Sequence, residues 1–154
     1  MFGLFKPKKK PLLSAAEQER IVAAVQEAER NTSGEIRVYM ESRCAYVDSM
    51  DRAREVFFKL KMQETSNHNA VLVYIALVDR QLALYGDEGI HRKTGGDPYW
   101  RQEVQLLRRF FQENRIAEGI ATCVQHIGMS LSEHFPYDSK TDKNELPDDI
   151  VFGD

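Results

Sequence analysis

The sequence predicts an α/β fold, a three-layer α/β/α sandwich with a small mixed β-sheet and about four helices. Three observations carry this reading. Residues 70–77, Ala-Val-Leu-Val-Tyr-Ile-Ala-Leu, form an unbroken apolar run rich in β-branched and aromatic side chains, as expected of a strand covered on both faces. Asp79-Arg80 is a short turn, so residues 82–87 return as an antiparallel neighbour. Segments with helical apolar spacing lie on both sides of this hairpin along the chain.

Taken in order, residues 1–13 combine Phe2, Leu4 and Phe5 with Lys6, Lys8, Lys9, Lys10 and two prolines, the composition of a flexible basic arm. Residues 2–10 also offer a weak contact for an anionic membrane surface, apolar side chains inserting while lysines meet headgroups. Ser14-Ala-Ala-Glu17 is a capping box, opening a helix whose Ile21, Val25 and Ala28 recur at helical spacing. Thr32-Ser33-Gly34 turns the chain into residues 35–40. There Ile36, Val38 and Met40 alternate with Glu35, Arg37 and Tyr39, predicting a less buried strand. Ala53, Val56, Phe57 and Leu60 signal a second helix over 48–64, and the resulting strand–helix–strand unit makes the two strands parallel. Residues 88–96 read as a polar, glycine-containing loop, after which Asp97-Pro98 supplies an N-cap and a proline at the first helical position. Trp100, Val104, Leu107, Phe110 and Phe111 give the third helix a heavy apolar face. Asn114 interrupts the pattern, a fourth helix follows over 115–133 with Gly119 permitting a close neighbour, and Phe135-Pro136 stops it. Residues 137–154 are acidic and without periodicity, and are expected to be largely irregular. The division is therefore a basic arm (1–13), one domain (14–136) and an acidic tail (137–154).

At 154 residues the chain can bury one real core but not two. Its 42% apolar and 29% charged residues are those of a soluble globular protein, and a net charge of −3 supplies no global attraction for nucleic acid. Cys44 and Cys123 lie far apart with no CxxC spacing, so neither a disulfide framework nor a zinc ribbon is suggested. With no signal-peptide core after Met1 and no run near the roughly 20 apolar residues of a membrane span, a reduced, cytoplasmic setting is expected.

The topology decides which polar residues can meet. If the first two strands are parallel and the third runs back, the starts of the first two share a sheet edge with the end of the third. Glu35, Asn69 and Asp87 therefore converge, with Glu88 adjacent and Thr65 and His68 bordering the same end as accessory donors. Carboxylates, an amide and loop oxygens suit a hard divalent cation, calcium more readily than magnesium where the loops are flexible. Such convergence also arises structurally, through helix caps and turn hydrogen bonds. Nucleophile and nucleotide motifs are missing: Cys44 and Cys123 lack the arginine of a cysteine-phosphatase loop, and GxxxxGK[ST], HExxH and GxSxG are all absent. His68 is the one conceivable proton donor at the acidic edge, and no catalytic residue can be named.

Thr32-Ser-Gly-Glu-Ile-Arg-Val38, Asn69-Ala-Val-Leu-Val-Tyr-Ile75, Gly86-Asp-Glu-Gly-Ile90, Trp100, Phe135-Pro136 and Asn144-Glu-Leu-Pro147, in this order and spacing, resemble the TPM domain family, in its short, soluble bacterial form. The likeness covers most of residues 14–148. It implies an α/β/α sandwich and divalent-metal binding, often calcium, at an acidic cluster for which Glu35 and Asp87 match the family positions. For plant members, acid phosphatase activity and a role in photosystem repair are known. Relatives often carry a signal peptide, a transmembrane or glycine-rich tail, and an Asp-rich Leu-Ser segment before the first helix; this sequence shows none of these. The leading expectation is a cation-binding or accessory module with an unidentified protein partner. The alternatives are a metal-dependent phosphomonoesterase and a peripheral membrane protein.

Overall fold

The computed structural model describes residues 13–138 and 147–153. Helix α1 (Ala15–Glu29) leads into β1 (Glu35–Glu41), α2 (Ser49–Lys59), a short 3-10 turn (Met62–Glu64), β2 (Ala70–Ala76) and β3 (Gln81–Gly86). Helices α3 (Glu88–Lys93), α4 (Asp97–Gln112) and α5 (Ile116–His134) follow, and β4 (Val151–Phe152) closes the series. The sheet order is β3-β2-β1-β4, with β1 parallel to both β2 and β4, and β3 antiparallel to β2.

Two apolar clusters on opposite faces of the sheet make the three layers. Ile36, Val38 and Met40 of β1 with Val71, Val73 and Ile75 of β2 pack beneath α1, α4 and α5. The alternate residues Leu72 and Tyr74, with Tyr39, pack against Ala53, Val56 and Phe57 of α2. Every residue of β2 is buried, as its unbroken apolar run requires. The fold class expected from the pattern is therefore found, as are the parallel β1–β2 pair and the β2–β3 hairpin, whose turn residue Arg80 adopts φ 53°. The capping box at Ser14 forms, with Ser14 Oγ accepting from Glu17 N at 3.1 Å and Glu17 Oε1 accepting from Ser14 N at 3.0 Å. Gly119 does meet a close neighbour, since a side chain there would run into Phe110. Among the described residues no helix is long and apolar enough to cross a membrane. Both cysteines are free.

Four local readings need correction. Strand β1 is buried almost throughout, not half-exposed, because α2 covers its polar-patterned face and β4 covers its edge. Helix α2 ends at Lys59, where Lys61 turns left-handed (φ 59°) before the 3-10 turn. Residues 88–93 form α3 instead of a loop. Asp87 caps it, Glu88 occupies its first turn and His91, Arg92 and Lys93 its last, the charge order that a helix dipole favours. That signal outweighed the glycines. Finally, the acidic tail contributes β4. The basic arm and its membrane contact fall on residues outside those described, apart from Leu13, which is buried in the larger core.

Candidate metal centre

Strand register fixes what converges at the entry of β1 and β2. Glu35 lies opposite Ala70, and the β2–β3 ladder ends with Asp87 N donating to Ala70 O at 2.9 Å. Glu35, Ala70 and Asp87 thus occupy one row across three strands, with Asn69 a residue earlier and its carbonyl accepting from Glu35 N at 3.4 Å. The predicted edge is there. Its two carboxylates, however, sit two strand spacings apart, roughly 10 Å between backbones, with Ala70 between them.

The Asp87 side is an oxygen-rich corner. Asp87 Oδ1 accepts from Glu88 N at 2.7 Å and so caps α3. Its Oδ2 is buried with no hydrogen-bond partner; His68 Nδ1 lies 3.4 Å away, near enough for attraction but not in bonding geometry. Thr65 Oγ1 and Asn69 Oδ1 are likewise buried and without a partner, although Asn69 Nδ2 donates to Ser33 Oγ at 3.3 Å. Gly89 backs directly onto the carbonyls of Asn67 and His68, where a Cβ would collide, so α3 can start this close to the 65–69 loop. Leaving such groups unsatisfied costs about 1–3 kcal/mol each. Asp87 Oδ2, Thr65 Oγ1 and Asn69 Oδ1 are thus three oxygens of neighbouring segments without a hydrogen-bond partner. Glu88 takes no part, because its exposed carboxylate pairs with Arg92.

Among the described residues, the carboxylates that the fold does bring together are Glu29, Glu35 and Asp148, with one oxygen of each within 4.8 Å of the others. Glu35 is only 2% exposed. Glu29 closes the last turn of α1, which carries no basic residue, and its Oε2 accepts from Ile36 N at 2.8 Å. Burial pushes the Glu29 carboxyl far up, a hydrogen bond with Asp148 and the charge of Glu35 push it further, and the Ile36 amide opposes them; it rises to about 11. A proton is therefore kept within the cluster when no cation neutralises it.

A raised folded-state value means that this group's stabilising contribution is complete below its ordinary pKa of 4.5 and is lost progressively as pH climbs towards 11. Without divalent cation, the melting temperature should therefore fall across that window. Glu29→Gln, which keeps the shape without the charge, should flatten the slope and raise the melting temperature at pH 8. Each ~1 kcal/mol recovered would appear as about 2–4 °C in a chain of this size. Parallel slopes for the two proteins would contradict the assignment.

Of the residues singled out from sequence, Glu35 belongs to the carboxylate group, Thr65, Asn69 and Asp87 line the adjoining corner, His68 borders it and Glu88 faces solvent. Glu29 and Asp148 were missed. Glu29 had one readable signal, an acidic residue at a helix C-terminus where the dipole disfavours it. Asp148 sits beside the quoted Asn144–Pro147 piece.

An NMR structure of the BA42 protein from the psychrophilic bacterium Bizionia argentinensis is 37% identical, covering 95% of this chain and 99% of its own, with a TM-score of 0.84. The N-terminal domain of a P. gingivalis protein matches at TM-score 0.65 and 19% identity, over 82% of this chain and 83% of its own. The N-terminal domain of cg2496 from Corynebacterium glutamicum matches at TM-score 0.61 and 14% identity, over 93% of each chain. The last two speak for the fold alone. No curated protein matches. The TPM domain itself matches over residues 8–130, and the chain belongs to the TPM domain family.

Proposed function

We propose that this TPM-domain protein binds a divalent cation, calcium in preference to magnesium, at the entry of β1 and β2, and acts as a binding or accessory module. One observation carries the reading: three carboxylates from three separate segments stand within 4.8 Å of one another around a nearly buried Glu35. Like charges at that spacing repel unless a proton or a cation lies among them. The donor set is hard, all oxygen and no thiolate, which suits calcium. Glu29, Glu35 and Asp148 would hold the ion, and Thr65, Asn69 and Asp87 would form the neighbouring oxygen group. A bound cation would supply positive charge. The chain's own part is to present Glu35 from the first residue of β1, to fix Glu29 through the Ile36 amide, and to keep water away with the surrounding core.

Soaking crystals in calcium tests this. Density bonded to Glu29, Glu35 and Asp148 is the expected result; ions found only at surface carboxylates, such as Glu113 and Glu118, would reject it. An assay with a phosphomonoester separates the module from an enzyme. The module reading expects no turnover, whereas turnover lost in Glu35→Ala would replace it with a phosphatase.

A further inference from the structure

Asp148 reaches the carboxylate group from the C-terminal segment that carries β4. Residues 147–153 join the sheet through the two-residue β4, with Val151 opposite Tyr39 and Phe152 opposite Met40, and Gly153 N donating to Met40 O at 2.7 Å. Ile150 packs at the margin of the larger core and Val151 at that of the smaller one, while Phe152 stays 56% exposed. Gly153 lies so close over the Tyr39 hydroxyl that a Cβ there would collide with it. So short a ladder is marginal by itself. Docking it also brings Asp148 to Glu29 and Glu35, with one oxygen of each within 4.8 Å of the others.

We propose that segment 147–153 is a cation-dependent latch: an ion held by Glu29, Glu35 and Asp148 fastens β4 to β1, and loss of the ion frees the segment and uncovers the β1 edge at Tyr39 and Met40. The proposal rests on the cation reading above. It follows from where the ligands come from, since Glu29 and Glu35 belong to the α1–β1 body and Asp148 to the latch. Linkage then makes the coupling reciprocal: whatever factor the ion adds to strand docking, docking adds to ion affinity. A strand defect that alters none of the three carboxylates must therefore weaken ion binding.

Val151→Pro supplies that defect. In a parallel ladder alternate residues donate to the same neighbour, so with Gly153 N on Met40 O, Val151 N also faces β1, and proline removes that donor. Calcium titration calorimetry on the full chain, wild type against Val151→Pro, is the experiment, with amide exchange at Val151–Gly153 read with calcium and with chelator. The latch predicts an affinity loss of about 5- to 150-fold in Val151→Pro, and wild-type amides protected by calcium and exposed by chelator. Equal calcium affinity in the two proteins, or wild-type exchange unchanged by calcium, overturns the latch and leaves the cation reading standing. No binding heat in wild type removes both. Should Val151→Pro fail to fold, the wild-type exchange comparison decides alone.

Discussion

Arg52→Met is expected to lower the unfolding free energy by about 3–5 kcal/mol, the usual effect of removing one partner of a buried ion pair. Arg52 of α2 grips the Glu41 carboxylate with both edges of its guanidinium, Nε to Oε2 and Nη2 to Oε1, each at 2.9 Å. The two side chains are 16% and 6% exposed. Tyr74 OH donates to the same carboxylate, and Arg52 also reaches Glu55. This network ties α2 to the far ends of β1 and β2, away from the candidate metal centre. Methionine keeps much of the side-chain volume but leaves Glu41 buried with only the Tyr74 donor.

The pH dependence supplies a second check. Burial alone would raise the Glu41 carboxyl, but the hydrogen bonds from Arg52 and Tyr74, with the charge of Arg52, outweigh it and hold the group below its ordinary 4.5. A lowered folded-state value contributes stability above 4.5 that is lost as pH falls through the folded value. In Arg52→Met burial wins, Glu41 takes up a proton, and the deficit against wild type should shrink as the solution is acidified. Urea denaturation at pH 7 and at pH 4 measures both effects. Adding Glu41→Leu to Arg52→Met should recover most of the loss, because an apolar pair needs no compensation. A single-mutant deficit below about 1 kcal/mol, the value of an exposed pair, would mean that Glu41 is not buried as described.

The legible parts of this chain were those in which one local signal had no competitor. Residues 70–77 could only be a covered strand, and Ser14 with Glu17 could only open a helix; from these the sheet edge carrying Glu35, Asn69 and Asp87 followed by topology. The rest depended on distant parts of the chain. The alternation of β1 reads as half-exposed because Arg37, Tyr39 and Glu41 are polar or amphipathic, and it takes Arg52, 11 residues beyond Glu41, with Tyr74 to make burial of that carboxylate tolerable. Val151-Phe152 is too short to register as a strand until β1 offers it an edge. The carboxylate cluster also depended on distant parts of the chain. Edge topology paired Glu35 with Asp87, but side chains reach only a few ångströms, and the carboxylates within reach of Glu35 come from the end of α1 and from a tail without periodicity. Family likeness, which also pointed to Glu35 and Asp87, did not single out Glu29 or Asp148.

The proposed function requires that a divalent cation replace a proton among Glu29, Glu35 and Asp148. Thermal melting at pH 7, in chelator and then in calcium at about 100 times its dissociation constant, tests it most directly. A ligand bound only by the folded state should stabilise by roughly 2.7 kcal/mol at that excess. Glu35→Ala should abolish the shift, and Glu88→Ala, whose carboxylate faces solvent beside Arg92, should retain it in full. Melting curves of the wild type that superimpose in chelator and in millimolar calcium would contradict the claim.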